Sequence, residues 1–146
     1  FISLVCLELY LFYYYNKEQF ILFLIIIIFF DTFSYFFGKL FGRKKILPNI
    51  SPNKTYFGFF SGLIITVICS QLLNYYLKIY NSYEIFIFTV LFILSTFLGD
   101  FIESYYKRIS NIKDSGNLLP GHGGFFDRFD GFIMSVILIF ILSYLK

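Results

Sequence analysis

Long apolar stretches separated by short polar ones dominate this chain. The four isoleucines at 25–28 do not alternate with polar residues, which excludes the pattern of a transmembrane barrel strand. A helix that crosses a bilayer needs about 20 mostly apolar residues. Four or five segments approach that length, so the pattern predicts an all-α, polytopic bundle of membrane helices. These segments are 1–15, which contains Glu8, 20–37, which contains Asp31, and the uncharged segments 57–77, 85–99 and 131–145.

The composition agrees with an integral membrane protein whose partner is the lipid bilayer. Of the 146 residues, 58% are hydrophobic and 14% are charged, whereas an average globular protein has about 45–50% and about 25%. A soluble domain of this size would have too few charges to cover its surface. A disordered chain would be more polar and poorer in aromatic residues than this one, which has 25%. The net charge of +3 is too small to indicate a nucleic-acid partner.

Two longer polar connections separate the predicted helices, and their charges indicate which side of the membrane they face. The first connection, 38–56, has five basic residues and no acidic one, so the positive-inside rule places it in the cytoplasm. Two predicted crossings separate it from the second connection, 101–130, which therefore lies on the same side. We expect a site formed by both connections to face the cytoplasm. The five basic residues are Lys39, Arg43, Lys44, Lys45 and Lys54.

The aspartates lie at the predicted cytoplasmic helix ends or in the second connection. A carboxylate within the bilayer costs roughly 2.5–3.5 kcal/mol even on a lenient scale. Asp31 therefore either reaches water at its helix end or acts as a ligand at the mouth of a cavity. Asp127 and Asp130 share one face where the last predicted helix begins, so helix capping and divalent-cation binding both stay open. The full set is Asp31, Asp100, Asp114, Asp127 and Asp130.

Polar residues at helical spacing begin where the predicted helix 85–99 ends. Their positions are i, i+3, i+4 and i+7, which places them on one face of a continued helix. The face is either an interfacial helix end whose long side chains reach for water or part of a functional site. Its residues are Asp100, Glu103, Ser104 and Lys107, followed by Arg108.

A glycine-rich loop surrounds the single histidine, His122, in the second connection. Glycines permit close backbone approach and exposed N–H groups, which suits phosphate binding, although a hydrogen-bonded turn would also explain the histidine. Neither a P-loop nor a dinucleotide-binding motif occurs. Carboxylates, basic side chains and a glycine-rich backbone on one face are the groups that metal-assisted phosphoryl or nucleotidyl transfer needs.

Residues 104–130 closely resemble the signature of the phosphatidate cytidylyltransferase family, also called CDP-diacylglycerol synthases. The match includes KDSGNLLPGHGG at 113–124 and DRFD at 127–130. Upstream, DTFSYFFG at 31–38 is similar to the DTxAYxxG segment of that family, and SPNKT at 51–55 is similar to SPxKT. Three positions depart from the family pattern: Ser34 replaces Ala, Tyr106 replaces an aliphatic residue or Phe, and Phe57 replaces a common Glu.

The resemblance implies the transfer of a cytidylyl group from CTP to phosphatidate, which yields CDP-diacylglycerol and pyrophosphate in phospholipid biosynthesis. It implies Mg²⁺ as a cofactor and allows K⁺ as a second cation. It also implies a bacterial inner membrane location and allows a homodimer. We expect residues 1–146 to form a single membrane domain that is the C-terminal part of a longer enzyme.

The resemblance also assigns roles to individual residues. Asp100 and Asp127 would bind the metal, with Asp31 and Asp130 as further candidates. The loops at 51–55 and 122–124 would surround the triphosphate or the lipid phosphate. The candidate catalytic residues are Asp100, Lys107, Arg108, Asp127, Arg128 and Asp130. The candidate substrate-binding residues are Ser51, Lys54, Thr55, Ser104, Lys113, Asp114, His122, Gly123 and Gly124.

Three alternatives stay open at this point. A CTP-dependent polyprenol or phytol kinase would share the nucleotide, metal and membrane setting but would transfer a γ-phosphate to an alcohol. An ion-coupled transporter would spread its charges through the membrane depth, whereas these charges cluster on one side. A truncated, inactive protein is the third alternative, although Asp100, Asp127 and Asp130 are intact.

Overall fold

The computed structural model describes residues 10, 13–14, 17–48, 50–110, 112 and 130–144, with only the backbone of residue 130 and of residues 139–144. This part of the chain has four helices and one two-stranded antiparallel sheet. The helices are α1 (Lys17–Phe41), α2 (Tyr56–Leu77), α3 (Ser82–Ile109) and α4 (Asp130–Tyr144). The strands, β1 (Lys45–Leu47) and β2 (Ser51–Thr55), lie between α1 and α2.

Three of these helices are long and apolar enough to cross a membrane. They are α1, α2 and α3, with 25, 22 and 28 residues. Many of their apolar side chains point away from the protein; Ile64 and Ile68 of α2, for example, are 57% and 55% exposed, as expected for a surface that contacts lipid. The protein is therefore a helical membrane protein. Segment 1–15 lies almost entirely outside the described residues, and α4 has 15 residues, so the predicted count of four or five spans stays a prediction.

The β-hairpin corrects the prediction of an all-α chain. Lys45 pairs with Thr55 and Leu47 with Ser51. The strands have three and five residues, and no alternation of apolar and polar residues marks them as strands, so sequence periodicity could not reveal them. Helix α1 also extends to Phe41, so the irregular part of the first connection is shorter than predicted, and α3 continues to Ile109 as the spacing of its polar residues predicts.

Small residues set the distance between α1 and α2. A Cβ atom on Gly58 would lie 2.5 Å from the carbonyl oxygen of Ser34, and one on Gly62 would lie 2.9 Å from the Ser34 Cβ. Any larger side chain at either position would push the two helices apart. Close backbone approach of this kind is how helices associate in lipid, where the hydrophobic effect does not drive them together.

The apolar core joins α1 to α3. Leu22, Phe23 and Ile26 of α1 pack against Ile85 and Phe92 of α3 and are almost completely buried. The rings of Phe23 and Phe92 stack with centroids 4.3 Å apart and planes at 9°. Stacked rings of this size bury large apolar areas and fix the relative position of the two helices.

Buried hydroxyl pairs join α3 to its other neighbours. Thr89 donates to the Oγ of Ser70 on α2 at 2.9 Å, and the hydroxyls of Thr96 and Ser135 on α4 lie 2.7 Å apart. A buried hydroxyl without a partner is costly, so these pairs favour one helix arrangement over others.

A tight turn at residues 78–81 connects α2 and α3. The side chain of Asn74 fixes it, because its Nδ2 donates to the Tyr80 carbonyl at 2.7 Å and its Oδ1 accepts from the Tyr80 N–H at 3.0 Å. Burial and the nearby Glu84 raise the pKa of Tyr80 to about 12. The short turn makes α2 and α3 antiparallel neighbours. The start of α2 and the end of α3 therefore lie at the same end of the bundle.

Candidate active site

A cavity of about 220 Å³ lies where the β-hairpin meets α1, α2 and α3. Aromatic side chains from the three helices, among them Phe30, Phe59 and Phe97, form one part of its wall. Polar side chains from the hairpin and the helices form the other part. These are Asp31, Ser34, Tyr35, Ser51, Asn53, Lys54, Thr55 and Asp100.

An ion pair crosses this cavity from the hairpin to α3. The Lys54 Nζ lies 2.5 Å from the Asp100 Oδ2 and donates a hydrogen bond to it, although the two residues are 46 positions apart in sequence. Their side chains are 30% and 21% exposed. The ammonium also lies 5.1 Å from the centroid of the Phe97 ring, within the range of a cation–π contact. The sequence predicts both residues as site residues, and the structure brings them together.

The neighbouring residue, Thr55, also lines the cavity and is 8% exposed. Its Oγ1 accepts a hydrogen bond from the Gly58 N–H at 3.1 Å and so caps the start of α2. The backbones of Gly38 and Gly42 pack closely around the same hydroxyl. Thr55 therefore anchors the hairpin to α1 and α2; its predicted substrate-binding role stays a prediction.

Asp31 lies on α1 at the border of the cavity and is exposed. Ser34 and Tyr35, which also line the cavity, follow it at i+3 and i+4. The Ser34 Oγ donates to the Asp31 carbonyl at 3.2 Å. Asp31 is therefore exposed and borders a cavity, and its role as a ligand stays a prediction.

The predicted polar face at the end of α3 is helical. Glu103 and Lys107 are one turn apart, with Oε2 and Nζ at 3.4 Å, and Ser104 is half-buried beside them. The Arg108 Nε donates to the Ile50 carbonyl at 3.2 Å and ties the end of α3 to the turn of the hairpin. Asp100 belongs to the cavity, whereas Arg108 supports the hairpin that carries Lys54.

The start of α4 lies beside Asp100. A Cβ atom on Gly131 would be only 2.6 Å from the Asp100 Oδ1. Asp130, where α4 begins, is therefore close to Asp100 in its backbone position. The remaining predicted site residues lie outside the described residues, and the structure does not test them. They are Lys113, Asp114, His122, Gly123, Gly124, Asp127 and Arg128.

The donor atoms around the cavity suit a hard divalent cation in part. Carboxylate oxygens are the ligands that Mg²⁺ prefers in proteins, and the cavity has two carboxylates, Asp31 and Asp100. Within the described residues no three His, Cys, Asp or Glu side chains form a group that could hold a metal. Asp100 presents Oδ1 toward α4 and Oδ2 toward Lys54. The cavity thus fits part of a ligand set, to which Asp127 and Asp130 would have to contribute.

Three polar residues of the cavity were not named individually as site residues: Ser34, Tyr35 and Asn53. Helical spacing from Asp31 would have found the first two. Asn53 lies next to Lys54 in β2, within the segment 51–55 that the resemblance already placed around a phosphate.

Comparison with known proteins identifies the family of this chain. Residues 2–145 match the model of the cytidylyltransferase family. A phosphatidate cytidylyltransferase of Staphylococcus epidermidis is 41% identical over 113 residues. Those of Staphylococcus aureus and Staphylococcus saprophyticus are each 46% identical, over 114 and 117 residues. These alignments cover 77% of this chain and 44% of each relative, so the chain spans less than half the length of these relatives. Since the family model matches almost every residue, the chain belongs to the cytidylyltransferase family.

Proposed function

We propose that this chain forms the active site of a membrane enzyme that transfers a cytidylyl group from CTP to phosphatidate. Membership of the family and the names of the relatives support this reaction. The observation that carries the proposal is the meeting of Lys54 and Asp100 in one cavity. The two residues come from separate segments that resemble the same family, and they combine an anion-binding group with a metal-binding one.

The chemistry of the reaction matches these groups. An oxygen of the phosphatidate phosphate attacks the α-phosphorus of CTP, the bond from that phosphorus to the bridging oxygen breaks, and pyrophosphate leaves with the electron pair. The attacking phosphate is already an anion, so no strong general base is needed. Catalysis then depends on alignment of the reacting atoms and on stabilisation of charge.

Both substrates are anions that repel each other, so the site has to supply positive charge. Lys54 would bind a phosphate oxygen from its place in the cavity. We propose Mg²⁺ as the cofactor, held by Asp100 and Asp127 with Asp31 and Asp130 as further candidates, and K⁺ as a possible second cation. When bound, a divalent cation would neutralise phosphate charge and assist the departure of pyrophosphate.

The position of the cavity suits one lipid and one water-soluble substrate. Its aromatic wall comes from the candidate membrane-spanning helices, and its polar wall combines the hairpin outside the spans with Asp31, Ser34 and Asp100 of those helices. Phosphatidate would enter from the bilayer and CTP from the cytoplasm. We propose a cytoplasmic site in a bacterial cell membrane, in a bundle of four or five spanning helices. The basic residues of the first connection support this orientation.

A transfer assay with labelled CTP tests the proposal. The protein would be purified in detergent with any sequence that precedes Phe1 in its reading frame, then mixed with phosphatidate and Mg²⁺. We expect label from the α-phosphate of CTP to appear in the lipid fraction and label from the γ-phosphate to appear in pyrophosphate. Transfer of the γ-phosphate to a lipid alcohol would indicate the kinase instead. Label in neither product from folded protein would refute the proposal.

A further inference from the structure

The ammonium of Lys54 is hydrogen-bonded to one oxygen of the Asp100 carboxylate. The proposed cation needs the same carboxylate as a ligand. The Lys54 Nζ is at hydrogen-bond distance from the Asp100 Oδ2, and the Asp100 side chain is only 21% exposed. A carboxylate that is largely removed from water needs a positive partner. Lys54 provides that charge in the structure described here.

A divalent cation bound at the Asp100 Oδ2 and this ammonium cannot both keep their positions. Mg²⁺ binds carboxylate oxygens at about 2.0–2.1 Å, and the ammonium already lies 2.5 Å from Oδ2. Two positive charges bound to the same carboxylate oxygen repel each other strongly in a partly buried site. Cation binding at Oδ2 therefore favours displacement of the ammonium from that oxygen.

The cavity has space for the displaced ammonium of Lys54. Lysine carries its charge on a flexible four-carbon stem, while Thr55 fixes the backbone beside it through its contact with Gly58. The ammonium can therefore move without the hairpin moving. Around it the cavity has about 220 Å³ of space and the polar side chains of Ser51 and Asn53. A phosphate group in this space would accept the released ammonium.

We propose that Lys54 is a displaceable counter-ion of Asp100, which a divalent cation replaces and thereby releases to bind a substrate phosphate. This inference rests on the proposed function, because it assumes that Asp100 binds the cation. It assigns Lys54 two successive partners, a carboxylate before the cation binds and a phosphate afterwards. Binding of the cation would in this way prepare the site for CTP.

Binding of Mn²⁺ without substrates tests the inference independently of turnover. Free Mn²⁺ would be followed by its electron paramagnetic resonance signal as it is titrated into purified protein, again with any upstream sequence. Because Lys54→Gln removes the competing charge, we expect it to bind Mn²⁺ about tenfold more tightly than the original protein. Lys54→Arg keeps the charge and should bind Mn²⁺ about as weakly as the original protein does. Asp100→Asn should lose the site.

A matched control separates displacement from a general change in charge. Lys45 is exposed and lies on the neighbouring strand, so Lys45→Gln removes the same charge without touching Asp100. Its Mn²⁺ affinity should change by less than about twofold. Equal affinities for Lys54→Gln and Lys45→Gln in folded protein would overturn the inference, as would tight binding by Lys54→Arg.

The two proposals fail in different ways. Cytidylyl transfer to phosphatidate without tighter Mn²⁺ binding by Lys54→Gln would refute only the displacement. Tighter Mn²⁺ binding by Lys54→Gln without cytidylyl transfer would refute the proposed reaction. It would still support competition between the cation and the Lys54 ammonium for Asp100. Elution as a single symmetric peak in detergent checks that each variant is folded.

Discussion

The backbone of Gly131 lies against the carboxylate of Asp100. A Cβ atom at position 131 would be 2.6 Å from the Asp100 Oδ1 and 2.7 Å from the Thr96 Cγ2. Helix α4 can start here only because residue 131 has no side chain. The family signature that residues 104–130 resemble ends at Asp130. The requirement for a glycine at position 131 therefore lies one residue beyond the signature.

Gly131→Ala should therefore impair the site. The added methyl would displace the Asp100 carboxylate, and a shift of about 1 Å at a catalytic group can cost about 100-fold in rate. We expect a higher Mg²⁺ requirement and a lower kcat, measured as lipid product formed over a range of Mg²⁺ concentrations.

The double variant Thr96→Ser with Gly131→Ala is the control for this prediction. It removes the Thr96 methyl group but leaves the contact with the Asp100 Oδ1. The defect should persist if displacement of the carboxylate causes it. Full recovery of the Mg²⁺ requirement would instead assign the defect to helix packing against Thr96.

Asp100→Asn and Asp127→Asn should each abolish product formation that depends on CTP and Mg²⁺. An amide cannot supply the negative charge that a divalent cation requires. In Asp100→Asn the ion pair with Lys54 is lost as well. The measurement is the transfer assay on protein that elutes as a single species, and activity retained by both variants would contradict the metal assignment.

Thr55→Val should destabilise the protein and lower its activity. Valine keeps the shape of the side chain but cannot accept the hydrogen bond from the Gly58 N–H, and loss of such a cap costs about 0.5–2 kcal/mol. Thr55→Ser keeps the hydroxyl and should stay close to the original protein. Thermal unfolding in detergent measures the difference, and equal Tm values for the two variants would show that the cap is unimportant.

Cysteine labelling should place the two connections on one side of the membrane. Lys44, before the hairpin, and Ser110, after α3, are exposed and lie at the same end of the bundle, while Asn81 lies at the other end. In a background without Cys6 and Cys69, single cysteines at 44 and 110 should react with a membrane-impermeant reagent from the cytoplasmic side. A cysteine at 81 should react from outside. Reaction of 44 and 110 from opposite sides would contradict the topology.

The sequence predicts the helices well because hydrophobic length is a local property. Residues 57–77 contain no charge, and α2 covers almost the same range, Tyr56–Leu77. The boundary was less accurate at the end of α1, which continues past residue 37 to Phe41. Helix α3 runs past Asp100 to Ile109, as the helical spacing of its polar residues predicts.

The sequence by itself determined the membrane class, the main helices, the family and the residue types of the site. Only the tertiary structure decided how these residues meet. In the folded protein, a segment without hydrophobic periodicity forms a hairpin, and its Lys54 forms an ion pair with Asp100. Thr55 packs into the helix interface, and the site requires a glycine at position 131 beside Asp100. The physical reason is that each of these relationships depends on distances between atoms in separate segments, which neither hydropathy nor residue spacing records.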